Sequence, residues 1–367
     1  MSHFRLPTFK RPCTRTTKTD VVERYNIEPV YRMSYNESPL GPSPKVVAAI
    51  QEAAATIGDY PPMGDEVLRQ ALAKTWGRGL TADHFFTGCS GYETLELVTR
   101  AYLQPGDEMI ISPPTFGVYN KIAALQEAKV VSVPLEPPDF MPDIDGILAA
   151  VTPRTRLLMI CNPNNPTGTM MAGSDMHNLV RSLPSHVTIV ADEVYCDFVT
   201  AKEYYPDTLY YVLEGYPVIR IQTFSKAYGM PGLRLGYAIA PPEIANYVGG
   251  FHRGFHQNRL ALAAGVAALT DQAHLQKNVQ TALEGKQWLY AQLDRLGLSY
   301  IPSQTNFVVV RLHQDATAVA KALYPYGVMV KPLNTTGLEN CLRVTISVPA
   351  ANEQFIRGLQ EILSKPA

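Results

Sequence analysis

Long apolar runs are missing from this chain. The longest candidate, Leu260 to Leu269, is alanine-rich and far short of the roughly 20 residues that span a bilayer, so no membrane helix and no membrane partner is expected. Cysteine is scarce: Cys13, Cys89, Cys161, Cys196 and Cys341 are scattered, odd in number and without Cys-x-x-Cys spacing. That argues against a disulfide framework or a zinc site and points to a reducing compartment, the cytoplasm. Net charge is also lacking, since 32 Lys and Arg face 33 Asp and Glu. Nothing in that balance favours nucleic acid or an acidic membrane surface. The first nineteen residues hold Arg5, Lys10, Arg11, Arg15 and Lys18, no acid, and no apolar core for a secretory signal. Such a composition suits an organelle transit peptide, and the favoured reading is a flexible or partner-crossing arm.

What is present is an ordinary globular composition, 46% apolar and 18% charged over 367 residues, enough for one large domain and a smaller one. The segment Tyr31 to Pro44 is too rich in proline for helix or inner strand and reads as an ordered loop. Ser43 caps a helix with Pro44 at its first position, expected to run until Gly58. A second amphipathic helix surrounds Val67 to Trp76. From His84 onward short apolar strands alternate with helices: His84 to Thr87, Glu108 to Ser112, Lys129 to Val133, Thr155 to Cys161, Val187 to Ala191, Pro217 to Thr223 and Leu233 to Ala240. This alternation predicts an α/β fold, a mostly parallel central sheet flanked by helices, with ligand chemistry beyond the strands' carboxyl ends. After about residue 250 one long helical region, Arg259 to Leu296, precedes strands and helices suited to a smaller α+β domain. The expected division is 1–44 as arm and small-domain segment, 45–255 as the large domain, and 256–367 as the small C-terminal domain.

The stretch from Thr223 to Gly236 organises the rest. It sets Lys226 among small hydroxyl residues in an apolar, glycine-broken segment and follows it with Arg234. An amine kept from water loses its charge readily, as attack on a carbonyl to form a Schiff base requires. Thr223, Ser225 and Arg234 are suited to a phosphate. A carbonyl cofactor that carries a phosphate is pyridoxal 5'-phosphate.

Other candidates stand at strand ends. The turn Gly88 to Glu93 offers helix N-terminal amides, approached closely because Gly91 has no side chain; it lacks the nucleotide and dinucleotide glycine fingerprints. Asn165, pinned by Pro166, can aim an amide at a phenolic oxygen. Asp192, emerging from an apolar strand, needs a cation, and a pyridinium nitrogen qualifies, although an Asp-Glu pair also caps helices. Tyr195 can hydrogen-bond the ring oxygen opposite. Phe116 can stack on a flat cofactor or pack in a core. Arg343, in an otherwise apolar strand, suits a substrate carboxylate or a structural ion pair. Asp143 to Gly146 hints at a calcium loop without the remaining ligands, so no metal is expected.

Asn-Pro-Asn-Asn-Pro-Thr-Gly (162–168), Asp-Glu-Val-Tyr (192–195), Ser-Lys-Ala-Tyr-Gly (225–229) and Gly-Leu-Arg-Leu-Gly (232–236), in this order, resemble the class I/II aminotransferases of fold type I, most nearly the histidinol-phosphate aminotransferase group. The resemblance runs from Tyr35 to the C-terminal helix. It implies a fold type I, pyridoxal-phosphate-dependent transferase with Lys226 as the Schiff-base lysine, Asp192 as the pyridinium partner and Phe116 as the stacking ring. Tyr195 and Asn165 match ligands of the ring hydroxyl; Gly91, Tyr92, Ser225 and Arg234, with Thr223 nearby, match phosphate contacts. Arg343 and Asn165, with Tyr35 and Lys331, fall on the side of an amino-acid substrate. Tyr60 matches a tyrosine that reaches the neighbouring subunit's cofactor, which implies a homodimer. Tyr92 stands where these enzymes usually have Asp or Asn, and Lys331 where they often have Arg. The stretch 225–236 is also similar to cyclases that make capreomycidine or enduracididine from hydroxylated arginine, so elimination with ring closure is the alternative reaction. A non-catalytic, cofactor-sensing module is a third and lesser reading.

Overall fold

The structure, a computed structural model, describes residues 16–364. Most of the basic arm, and Cys13 with it, lies outside the described residues.

Seven strands form the larger sheet, in the spatial order Phe85–Gly88, Gly236–Ile239, Val218–Thr223, Thr188–Asp192, Thr155–Cys161, Glu108–Ile111 and Lys129–Ser132. From Val218–Thr223 to Lys129–Ser132 every neighbouring pair is parallel. The apolar runs are continuous because both faces are covered: Leu157 and Met159 pack in one core, Leu158 and Ile160 in the other. This two-sided burial separates the strands from a half-solvated, alternating pattern. One strand breaks the parallel rule, since Gly236–Ile239 is antiparallel to both neighbours. The chain reaches it from Thr223 through a turn with no crossover helix, which only an antiparallel return allows. That strand is also shorter than the expected Leu233 to Ala240. Leu233 closes a single 3₁₀ turn and Arg234 takes a left-handed backbone, φ +53.

The smaller sheet is antiparallel, in the order Lys331–Pro332, Cys341–Thr345, Phe307–Arg311 and Tyr300–Ile301. The expected loop at Tyr31 to Pro44 begins instead as a short strand, Tyr31–Arg32, parallel to Val328–Met329. The expected long helix is two, Arg259–Leu269 and Gln272–Arg295. Thr270 Oγ1 turns back onto the Ala267 carbonyl, and the Asp271 side chain caps the second helix by accepting from His274 N; both residues favour such local bonds over a continuing helix. The helix capped by Ser43 runs Pro44–Ala54 and stops short of Gly58. Asp143, offered as a calcium hint, caps the helix Ile144–Ala149 through Gly146 N. Among the described residues no helix is long and apolar enough to cross a membrane.

A second core gathers Leu289 and Leu293 of the long helix, Phe307, Val308 and Val310, Leu342 and Val344, and Phe355 and Leu359 of the last helix. Tyr195 and Ala227, from loops of the larger sheet, belong to this second core. The ends of the parallel strands therefore open directly onto the smaller sheet.

Candidate active site

Four buried strands end together: Gly88, Cys161, Asp192 and Thr223 are last residues of parallel or flanking strands. Beyond them lies a cleft of about 580 Å³. Lys226, Asp192, Tyr195, Phe116, Asn165, Gly91, Tyr92, Thr223, Ser225, Arg234, Arg343, Lys331 and Tyr35 all line it. Tyr60 does not. Its side chain is 79% exposed and stacks on Phe255 at 4.9 Å between ring centroids.

Lys226 follows the Val218–Thr223 strand, and Nζ donates to the carbonyls of Tyr35 and Asn36 at 3.2 and 3.0 Å. Burial, with the nearby charges of Arg343 and Arg234, brings the amine down to about 7, against the pull of Glu37 and Asp192. A lysine so placed is uncharged for much of its time at neutral pH.

Asp192 and Glu193 part company at the strand end. Glu193 pairs with buried Arg220, Nε to Oε2 at 3.0 Å, and accepts from Thr208 Oγ1 at 2.6 Å; it is a structural ion pair beneath the cleft. Asp192 accepts from Tyr119 Oη on Oδ2 at 2.7 Å, and Oδ1, also buried, has no hydrogen-bond partner. Burial raises its carboxyl to about 6, with the Tyr119 hydroxyl, the Val194 peptide and Lys226 pulling the other way. An oxygen in this state calls for a donor, and a protonated ring nitrogen supplies one.

Phe116 meets Tyr119 edge-on, 5.8 Å between centroids at 89°, which sets its ring as a wall of the cleft. Tyr195 Oη accepts from Asn36 Nδ2 at 2.9 Å and from Asn165 Nδ2 at 3.4 Å. Burial drives its phenol well above the ordinary range, against the charge of Arg343. Arg343 donates to Asn165 Oδ1 at 2.7 Å and to the Ser34 carbonyl at 2.8 Å. One guanidinium thus orients the amide that faces the phenol.

At the other end stand Arg234, Ser225 and the first turn of the helix Ser90–Tyr102, which includes Gly91. Within the protein a Cβ on Gly91 would make only ordinary contacts, the nearest at 3.7 Å. The tight positions are its neighbours. A Cβ on Gly236 would lie 2.3 Å from Gly91 N, and one on Gly88 2.7 Å from Thr94 Oγ1, so those two glycines let the turn lie flat on the sheet. Thr223 lines the cleft with its hydroxyl already engaged, donating to the Leu235 carbonyl at 3.3 Å and accepting from Ser225 N at 3.1 Å. Asn36 and Tyr119 are the residues that motif reading passed over, and neither sits in a segment whose chemistry is local.

A flat, phosphorylated ring with a protonatable nitrogen fits this donor set, by the orphaned Asp192 oxygen at one end and Arg234 with a helix N-terminus at the other. The family model for aminotransferase class I and II matches residues 28–359. The chain is 40% identical to the histidinol-phosphate aminotransferase of Moorella thermoacetica, over 94% of this chain and 88% of that one. It is 38% identical to the enzyme of the same name from Symbiobacterium thermophilum, over 94% of each. The solved histidinol-phosphate aminotransferase of Sinorhizobium meliloti, in complex with pyridoxal-5'-phosphate, superposes with a TM-score of 0.87 at 27% identity, over 99% of this chain and 98% of that one. Across nearly its full length, this chain belongs to the class I and II aminotransferases.

Proposed function

We propose that this pyridoxal-phosphate-dependent aminotransferase moves the amino group of a donor with an anionic distal group, histidinol phosphate by the likeness to its relatives, and works as a homodimer in the cytoplasm. The observation that carries the cofactor reading is the buried, unpartnered Oδ1 of Asp192 facing the same cleft as a lysine brought down to about 7.

When bound, the cofactor supplies an aldehyde for an amine to condense with and a ring that accepts the electron pair left behind when the α proton departs. The chain does the rest. Arg234, Ser225 and the amides around Gly91 hold the phosphate. Phe116 stacks on the ring, Asp192 keeps its nitrogen protonated, and Tyr195 and Asn165 hold its oxygen. Lys226, once free, takes the α proton and returns it, a task suited to an amine whose pKa lies near the working pH.

Substrate recognition falls to Arg343 and Lys331. They are cross-strand partners in the smaller sheet and both line the cleft. Two cations facing one cleft suit a phosphate or carboxylate on the substrate. The dimer rests on Tyr60 and its surroundings: Ile57, Tyr60, Met63 and Val67 are each more than 60% exposed on neighbouring turns, an apolar surface that a second copy covers. The cytoplasmic assignment rests on the free thiols of Cys89, Cys161, Cys196 and Cys341.

The test is an amino-transfer assay with 2-oxoglutarate and a panel of donors. Glutamate formed from histidinol phosphate, and more slowly from donors without a distal anion, supports the proposal. Equal rates with neutral side chains contradict the substrate reading; no transfer from any donor contradicts the reaction.

A further inference from the structure

Tyr195 and Lys226 share a neighbour to which the motifs assign no role. Asn36 is buried and adopts φ +55, a left-handed backbone that asparagine tolerates better than most residues with a side chain. Its Nδ2 donates to Tyr195 Oη at 2.9 Å, and its carbonyl accepts from Lys226 Nζ at 3.0 Å. The amide is oriented from the far side. Thr345 Oγ1 accepts from Asn36 N at 2.9 Å and donates to Asn36 Oδ1 at 3.2 Å, so Nδ2 is the end left for the phenol. Asn306 Nδ2 donates to the same carbonyl at 3.2 Å. Thr345 and Asn306 stand at the adjoining ends of two paired strands of the smaller sheet. Asn36 is therefore held by the smaller sheet and touches two groups carried by the larger one.

A phenol oxygen has two acceptor positions and one hydrogen. Asn36 and Asn165 both approach Tyr195 Oη as donors, the first at 2.9 Å and the second at 3.4 Å. With both acceptor positions taken, the phenol's own hydrogen is left for an acceptor in the cleft. Asn36 is the nearer of the two donors, and Asn165 is shared with Arg343.

We propose that Asn36 is a positioning residue for amino transfer: it commits the Tyr195 hydrogen to the cofactor's ring oxygen, and its carbonyl seats the Lys226 amine whenever that amine is free. The proposal rests on the reading of the cleft as a pyridoxal-phosphate site. A hydrogen bond to an oxyanion favours the deprotonated form of the acid coupled to it. Losing the aimed phenol hydrogen therefore raises the pH at which the visible band of the holoenzyme changes.

Two substitutions separate the roles. Asn36→Gly keeps the carbonyl and the positive φ and removes the donor. Asn36→Asp keeps the shape and offers the phenol an acceptor, which draws its hydrogen out of the cleft. Holoenzymes of both, of Tyr195→Phe and of the Asn36→Gly/Tyr195→Phe double variant are titrated by absorbance alongside the unsubstituted protein. The expected result is a midpoint raised by about one pH unit in Asn36→Asp, about a tenfold change in the underlying equilibrium, and by a smaller step in Asn36→Gly. The kcat falls while KM for the amino donor stays within about twofold, because the side chain and carbonyl of Asn36 are spent on Tyr195 and Lys226. In the double variant the midpoint equals that of Tyr195→Phe alone. An unmoved midpoint in Asn36→Asp, with the band itself present, overturns the proposal. Full additivity in the double variant also overturns it, since the effect would then not pass through the phenol. No visible band in the unsubstituted holoenzyme overturns the cofactor reading as well.

Discussion

Tyr119 donates to one oxygen of Asp192 over 2.7 Å and leaves the other buried without a partner. The carboxylate is thereby aimed by a side chain 73 residues away and is costly to keep charged unless something fills the second position. Its carboxyl, raised to about 6 from the ordinary 3.8, binds a proton more readily in the folded than in the unfolded protein. Its contribution to stability is therefore lost as pH rises between those two values. In the cofactor-free protein, Asp192→Asn removes that dependence. Its stability relative to the unsubstituted protein should rise by about 2 kcal/mol between pH 4 and pH 7, measured by denaturant unfolding. Turnover by the loaded variant should fall about 10²-fold or more.

Lys226 gives a kinetic signature. Because burial brings its amine down to about 7, the neutral form that attacks an aldehyde gains population as pH rises from 6 to 8. The rate at which cofactor-free protein captures pyridoxal 5'-phosphate should climb with a midpoint near 7. Stopped-flow absorbance checks this, and a midpoint near the ordinary lysine value of 10.5 contradicts the burial argument.

Arg343 and Lys331 should be separable by substrate. Arg343→Lys loses the two-pronged contact to Asn165 Oδ1 and the Ser34 carbonyl, so KM for every donor should rise by about 10-fold or more. Lys331→Ala should raise KM only for donors with a distal anion, leaving neutral donors within about twofold. Steady-state kinetics with matched donors decide it.

Tyr60 is exposed and does not line the cleft of its own chain, so in the proposed dimer it should act on the neighbouring subunit's site. Tyr60→Phe is expected to weaken cofactor binding by several-fold with no change in subunit fold. Hybrids of Lys226→Ala and Tyr60→Phe subunits pair one intact Lys226 with one intact Tyr60 in a single site. Recovery of tight cofactor binding at that site, by equilibrium dialysis of isolated hybrids, supports the arrangement; its absence places Tyr60 outside the cofactor's reach.

Much of the larger sheet was legible in the sequence because its strands are short apolar runs and its site residues follow them at once. Asp192 ends a strand, and Lys226 lies three residues past Thr223. What escaped was set by contacts between distant segments. Asn36 meets Thr345 and Asn306 across 309 and 270 residues, and no local pattern announces such a partner. The steric demand on Gly236 comes from Gly91 N, in the first turn of the helix Ser90–Tyr102, a contact between segments far apart in the sequence. The helix break at Thr270 and Asp271 escaped for a different reason: the apolar pattern continues through it, and only side-chain bonds to the backbone end one helix and begin the next.

One amine, that of Lys226, is expected to carry the cofactor. Borohydride reduction of the holoenzyme, followed by proteolysis and mass spectrometry, fixes the cofactor to whichever lysine holds it. The expected result is a pyridoxyl adduct on Lys226 alone. An adduct on Lys286, a lysine that is fully buried among the described residues and whose pKa is also lowered, to about 8, or no adduct at all, would contradict this assignment.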